Sequence, residues 1–115
     1  MTKEEFGTNQ NLTRVCSLNL THLRACVELD DLALQGMWSK EQWETELSDP
    51  RRLCLGILDH TKLISLACGW LIADELHLTL VAVHPQLRKR GLAKQVLAKL
   101  FQTAKTRGFR HATLE

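Results

Sequence analysis

From residue 13 onward the chain alternates short apolar runs with stretches in which apolar side chains recur every three or four positions. Thr13 to Leu18 alternates weakly and predicts a first strand. Thr21 can cap a helix running to about Leu34, on which Leu23, Val27 and Leu34 fall near one face, and Gly36 ends it. A sharper signal follows. Ser39 with Gln42 three residues later has the spacing of a capping box, and Trp38 before the cap with Trp43 at the fourth helical position has that of a hydrophobic staple. They predict a second, short helix from Lys40 to about Leu47, stopped by Asp49 and Pro50. Leu53 to Leu58, Leu63 to Ile72 and Leu76 to Val83 then read as three strands, joined by Asp59-His60-Thr61-Lys62 and by Ala73-Asp74-Glu75, which makes an antiparallel meander. In the third of them Leu76, Leu78 and Leu80 alternate with His77, Thr79 and Val81. Beyond Pro85 the period becomes helical, with Leu92, Val96, Leu97, Leu100, Phe101 and Ala104 on one stripe, until Gly108. Phe109 to Leu114 predicts a last strand, parallel to the one before it because a helix crosses between them.

Composition bounds the class. The chain has 115 residues, 44% hydrophobic and 24% charged, which is one globular domain rather than two and excludes disordered and collagen-like chains. No repeat or linker divides it, so residues 1–12 are expected to be a flexible tail and 13–115 a single domain. No apolar run approaches the ~20 residues of a membrane span, and Met1 to Gln10 is too polar for a secretion signal, so the expected location is the cytoplasm. Cys16, Cys26, Cys54 and Cys68 sit singly in apolar segments without CxxC spacing, and the histidines are scattered, so reduced buried thiols and no metal are expected. Trp38, Trp43 and Trp70 are read as packing residues.

Charge changes this picture. Residues 1–75 hold 7 basic and 12 acidic side chains, net −5, whereas residues 76–115 hold 8 basic and 1 acidic, net +7, together the +2 of the whole chain. The last third attracts anions. Within it, a strand ends at Val83, Arg88, Lys89 and Arg90 follow in a short loop, and Gly91 opens the long helix. The unpaired N–H groups of a helix start and the positive end of its macrodipole make an anion site, suited to a diphosphate. Gly91 has no Cβ to obstruct approach, Ala93 keeps the second position small, and Arg88, Lys89, Arg90 and Lys94 supply charge.

The run Arg88-Lys89-Arg90-Gly91-Leu92-Ala93, preceded by Val81-Ala82-Val83-His84-Pro85, resembles the (Gln/Arg)-x-x-Gly-x-(Gly/Ala) motif of the GCN5-related N-acetyltransferases (GNAT) and the strand that leads into it. The element order β-α-α-β-β-β-α-β resembles that family's mixed α/β fold across residues 13–115, without its last helix and strands. Trp38-Ser39, Arg90-Gly91-Leu92 and Leu114-Glu115 are most similar to the bacterial ribosomal-protein-alanine N-acetyltransferases. The resemblance implies acetyl-coenzyme A as co-substrate. Val81, Ala82 and Val83 would pair with its pantetheine arm like an added strand, at a bulge that splays the sheet. The segment Arg88, Lys89, Arg90, Gly91, Leu92, Ala93, Lys94 would hold the pyrophosphate. Glu115 aligns with the family's general base, which takes a proton from an incoming α-amine, and a backbone N–H near Val83 would stabilise the thioester oxyanion.

The family's pattern continues past this glutamate with an asparagine, a helix bearing a tyrosine acid, and two more strands, whereas this chain has no tyrosine, so a truncated domain is expected. The acceptor the resemblance implies is the N-terminal α-amine of a protein, a ribosomal protein among them, although aminoglycoside, polyamine and lysine acceptors would use the same cofactor half. Two other classes stay open: a non-catalytic coenzyme A binder, and a basic nucleic-acid-binding module. The second is disfavoured because strands Leu53 to Val83 offer only Trp70 for base stacking. An uncovered sheet face and last-strand edge would invite a homodimer.

Overall fold

The computed structural model describes residues 15–114; the tail 1–12, Thr13 and Arg14 of the first predicted strand, and Glu115 lie outside the described residues. Five strands form one mixed sheet in the order β1 (Val15–Ser17), β2 (Arg52–Asp59), β3 (Lys62–Ile72), β4 (Glu75–Val83) and β5 (His111–Leu114). The first four are antiparallel neighbours, and β5 runs parallel to β4. Helix α3 (Leu92–Thr106) makes the crossover between those two, as a parallel connection requires. It covers one face of the sheet, where Val96, Leu100 and Ala104 are fully buried against Leu53, Leu55 and Leu76. Helices α1 (Leu23–Leu34) and α2 (Lys40–Ser48) cover the other face, where Cys26, Leu29 and Trp43 meet Cys54, Leu66, Cys68 and Leu80.

The start of α1 differs from the pattern's expectation. The chain first tightens into a 3-10 turn over Leu20–His22, so the cap moves from Thr21 to Asn19. Asn19 Oδ1 accepts from the Thr21 N–H at 2.9 Å, and His22 Nδ1 accepts from the Asn19 N–H at 2.9 Å. The capping box of α2 forms as predicted: Ser39 Oγ accepts from the Gln42 N–H at 3.1 Å and Gln42 Oε1 from the Ser39 N–H at 2.8 Å. Trp38 meets Trp43 edge-on with ring centroids 4.7 Å apart. Between the helices, Asp30 is only 1% exposed, and its carboxylate accepts from the Met37 N–H (2.8 Å), the Trp38 N–H (3.0 Å) and Trp43 Nε1–H (2.9 Å). One acidic side chain at the end of α1 thus fixes the entry into α2.

Two bulges set the register of the sheet. Ile57 pairs with Ser65 but Leu58 with Leu63, so Ile64 is an extra residue in β3. Cys68 pairs with Leu80 but Gly69 with Leu78, so Thr79 is an extra residue in β4. Clean alternation of Leu76, Leu78 and Leu80 implies one common face. The bulge divides them: Leu76 and Leu78 pack under α3, whereas Leu80 and Ala82 pack with α1 and α2, and Val81 and Val83 turn to the α3 side.

Candidate functional site

β4 ends at Val83, and the next residue turns the chain. His84 Nδ1 accepts from the Gln86 N–H at 3.2 Å, capping a 3-10 turn over Pro85–Leu87 whose Leu87 is buried in the core. Lys89 (φ 69°) and Gly91 (φ 78°) then adopt left-handed backbone, and Gly91 caps α3 without a side-chain bond. The first intrahelical bond runs from the Gln95 N–H to the Gly91 carbonyl at 3.1 Å. The helix therefore offers no partner to the N–H groups of Leu92, Ala93 and Lys94, and no acidic residue occupies its first turn. These donors, the dipole and the exposed cations Arg88, Lys89, Arg90 and Lys94 form one positive rim.

The rim opens into a cleft of about 610 Å³ lined by Leu34, Val81, Ala82, Val83, Arg88, Lys89, Gly91, Leu92, Ala93, Lys94 and Leu97. Of the candidate cofactor residues, Arg90 alone is not in the lining; it is exposed beside it. Leu34 and Leu97 are additions. Leu97 lies one helical turn beyond Ala93, so helical period would have found it, but Leu34 arrives from α1 by tertiary packing and left no local signal.

The backbone of β4 faces this cleft in a specific way. The His84 N–H donates to the Ile64 carbonyl at 2.8 Å, and the register pairs Ser65 with Val83 and Ala67 with Val81. Antiparallel pairs alternate, so the N–H and C=O groups of Val81 and Val83 point away from β3. β5 pairs with β4 only from Glu75 to Leu78, so among the described residues that edge has no strand neighbour at Val81 and Val83. Arg88 closes one end: its Nε donates to the Val83 carbonyl at 3.4 Å and its Nη2 to the Ala33 carbonyl at 3.3 Å, tying the loop to the end of α1. The Val83 N–H, by contrast, keeps its direction into the open edge. An extended ligand with amide groups and a terminal diphosphate fits such a site: a strand edge for the amides, apolar Leu34, Leu92 and Leu97 along the way, and bare N–H donors at the end.

Glu115, the candidate base, lies outside the described residues. A larger open groove of about 1290 Å³ runs between α3 and β5 over Phe101 and Phe109. It reaches neither the α3 N-terminus nor the open edge of β4, so the anion-binding features belong to the smaller cleft. The cysteines are free thiols, but they are not all solitary, because Cys54 Sγ and Cys68 Sγ are 3.1 Å apart. The buried Glu46 is beside them and is bridged by Arg52 at 2.8 Å, with Arg52 stacked 4.2 Å over Trp70. Trp70 pairs with His77, at the opposite end of the meander from Val83. Burial pushes the Glu46 carboxyl above the usual carboxylate range, only partly offset by Arg52, and pushes the Cys26 thiol up to about 12.

Comparison with known proteins gives the architecture a context. The sequence model of the acetyltransferase (GNAT) family matches residues 18–115. Among solved structures, the chain is similar to the ribosomal-protein-S18-alanine N-acetyltransferase from Escherichia coli, with 25% identity and a TM-score of 0.79 over 87% of this chain and 64% of that one. It is also similar to the PaiA N-acetyltransferase from Thermoplasma acidophilum in complex with coenzyme A (19%, TM-score 0.77, covering 87% of this chain and 76% of that one). An aminoglycoside N-acetyltransferase in complex with coenzyme A has the same fold (19%, TM-score 0.74, covering 88% and 74%). The chain spans 64% of the length of the E. coli enzyme. No curated protein sequence matched the chain.

Proposed function

The chain belongs to the GNAT family of acetyltransferases, and from that premise we propose that it holds acetyl-coenzyme A in the cleft between β4 and α3 and transfers the acetyl group to an amine. The observation that carries this reading is the convergence, in one cleft, of the open β4 edge with the bare first turn of α3. Coenzyme A supplies the acetyl thioester; the chain positions it. The outward N–H and C=O of Val81 pair with the amides of the pantetheine arm, as an added strand does. The N–H groups of Leu92, Ala93 and Lys94 receive the pyrophosphate, Gly91 lets it approach, and Arg88, Lys89, Arg90 and Lys94 neutralise it. The Val83 N–H donates toward the thioester carbonyl, where negative charge develops during transfer.

For the acceptor, we favour the N-terminal α-amine of a protein, a ribosomal protein among them, with Glu115 as general base. Support comes from the 25% identity to the S18-alanine enzyme and from the Trp38-Ser39 and Leu114-Glu115 segments. An α-amine has a reference pKa of about 7.7–8.0, so a modest base keeps enough of it neutral near pH 7. Calorimetric titration with acetyl-coenzyme A, followed by mass spectrometry of an alanine-starting peptide and of an aminoglycoside incubated with both, tests the proposal. Cofactor binding with acetylation of the peptide α-amine is the expected result. Acetylation of the aminoglycoside instead would reassign the acceptor, binding without transfer would leave a coenzyme A carrier, and no binding would overturn the cleft assignment.

A further inference from the structure

The two thiols under the sheet have a geometry that apolar packing alone does not require. Cys54 and Cys68 are register partners on β2 and β3. Arg51 O accepts from the Leu71 N–H at 2.8 Å, so counting along the ladder makes Cys54:Cys68 a non-hydrogen-bonded pair. Such pairs have Cα atoms about 4.5 Å apart, inside the range a disulfide spans. The sulfurs, at 3.1 Å, need to close by roughly 1 Å to reach a covalent S–S length. A third group is in place: Glu46 Oε2 is 4.0 Å from Cys54 Sγ, while Arg52 Nη1 holds Glu46 Oε1 at 2.8 Å. The same donors, all within 4.8 Å of one another, also have the composition of a metal site. Two thiolates on a tetrahedral zinc at ~2.3 Å stand more than 3.5 Å apart, however, and Arg52 already engages the carboxylate.

We propose that Cys54 and Cys68 are an oxidisable pair, which hydrogen peroxide converts reversibly into a cross-strand disulfide. Glu46 takes the Cys54 proton, and the thiolate attacks one peroxide oxygen. An S–O bond forms, the O–O bond breaks, and the departing hydroxide takes up a proton as water. Cys68 sulfur then attacks Cys54 Sγ: the S–S bond forms, the S–O bond breaks, and hydroxide leaves with the Cys68 proton as a second water. The dithiol gives two electrons and one peroxide is reduced to two waters. Cys54 reacts first because Glu46 can accept its proton directly and because it is the less enclosed of the two thiols. Peroxide is hardly larger than water, which suits a pair buried to 5% and 0% exposure.

The test uses the folded full chain at neutral pH, exposed to hydrogen peroxide, acid-quenched, unfolded and alkylated. Cleavage after Lys and Arg places the four cysteines in four different peptides, with Lys62 separating Cys54 from Cys68. The expected product lacks two hydrogen masses, retains two alkylatable thiols, links the Cys54 and Cys68 peptides, and regains all four thiols with dithiothreitol. Cys26→Ser should form the same link, and Cys54→Ser and Cys68→Ser should not. Four alkylatable thiols after exposure, a link through Cys16 or Cys26, or irreversible oxygen addition without a link would each overturn the proposal. Zinc retained one-to-one by the purified chain and lost in Cys54→Ser would overturn it in favour of a metal site.

Discussion

Replacing Gly91 separates the two jobs of the α3 start, shaping the loop and receiving an anion. Its φ of 78° is left-handed, which costs a residue with a Cβ about 1 kcal/mol, but nothing lies within 4 Å of the Cβ position. Gly91→Ala should therefore lose about 1 kcal/mol of stability, or roughly 4 °C in Tm for a domain of this size, with no steric penalty added. Gly91→Asp carries a smaller folding cost, since Asp enters left-handed backbone more readily than Ala and is a good helix cap, and it places a carboxylate beside the N–H groups meant for pyrophosphate. A unit charge about 4 Å from another contributes between about 1 kcal/mol in water and 4 kcal/mol at a protein surface. Against a diphosphate, a penalty near 2 kcal/mol, roughly 30-fold in Kd, is a conservative expectation. Calorimetric titration of the parent and both variants with acetyl-coenzyme A, paired with thermal melts, measures both terms. The Asp-specific loss should also shrink in high salt, because the site is open to solvent. If Gly91→Asp binds as tightly as Gly91→Ala, or if the difference ignores salt, the pyrophosphate is not held at this helix start.

Three further outcomes follow from the packing. Asp30→Ala leaves two backbone N–H groups and the Trp43 indole without their acceptor and should cost about 3–5 kcal/mol in urea unfolding; Asp30→Asn should lose nearly as much, since its amide turns a second donor toward them. Gly56→Ala would set a Cβ 2.7 Å from Leu63 Cδ1 and 2.9 Å from the Ser65 carbonyl, and the backbone contact cannot move aside, so a loss of about 1–3 kcal/mol is expected in the same assay. Glu46, whose folded-state pKa is raised chiefly by burial, takes up a proton on folding. Its contribution is thus complete below its unfolded value of about 4.3 and fades as pH rises through the folded value. The stability difference between the parent and Glu46→Gln should move against the parent as pH rises from about 4 toward 7, and a flat difference would contradict the raised value.

Elements whose determinants lie within a few residues were legible in the sequence. Ser39 and Gln42 predict their own capping box, and the stripe from Leu92 to Ala104 predicts the face α3 buries. The gathering of the candidate residues was legible for the same reason, since Arg88 to Lys94 and the end of β4 are contiguous and nine of the ten candidates line one cleft; their hold on the cofactor is what the Gly91 titration tests. Features that depend on register were not. With the two-residue turn at His60 and Thr61, an unbulged hairpin places Cys54 opposite Ala67; the extra residue Ile64 moves Cys68 into that place. Nothing in the local alternation marks Ile64 as the bulged residue. Asn19 was missed because a 3-10 turn precedes α1, and Leu34 because only tertiary folding brings it beside Val83.

The extra residue in β4 has an engineering consequence. Strand repairs and chimeras are usually cut by length, on the assumption that one residue more or less shifts a loop. Here Thr79 is where the strand exchanges inside for outside: before it, even-numbered leucines serve the α3 layer, and after it they serve the layer of α1 and α2. Deleting Thr79 would let Leu78 and Leu80 follow one another in plain alternation on the faces they now serve; it is an unbulged strand of the same length that would put every later residue on the wrong side, pushing Leu80 and Ala82 toward α3 and drawing Val81 and Val83 away from it. Any graft joined across this point must therefore either keep the bulge or be one residue shorter, because the cleft is defined by parity as much as by sequence.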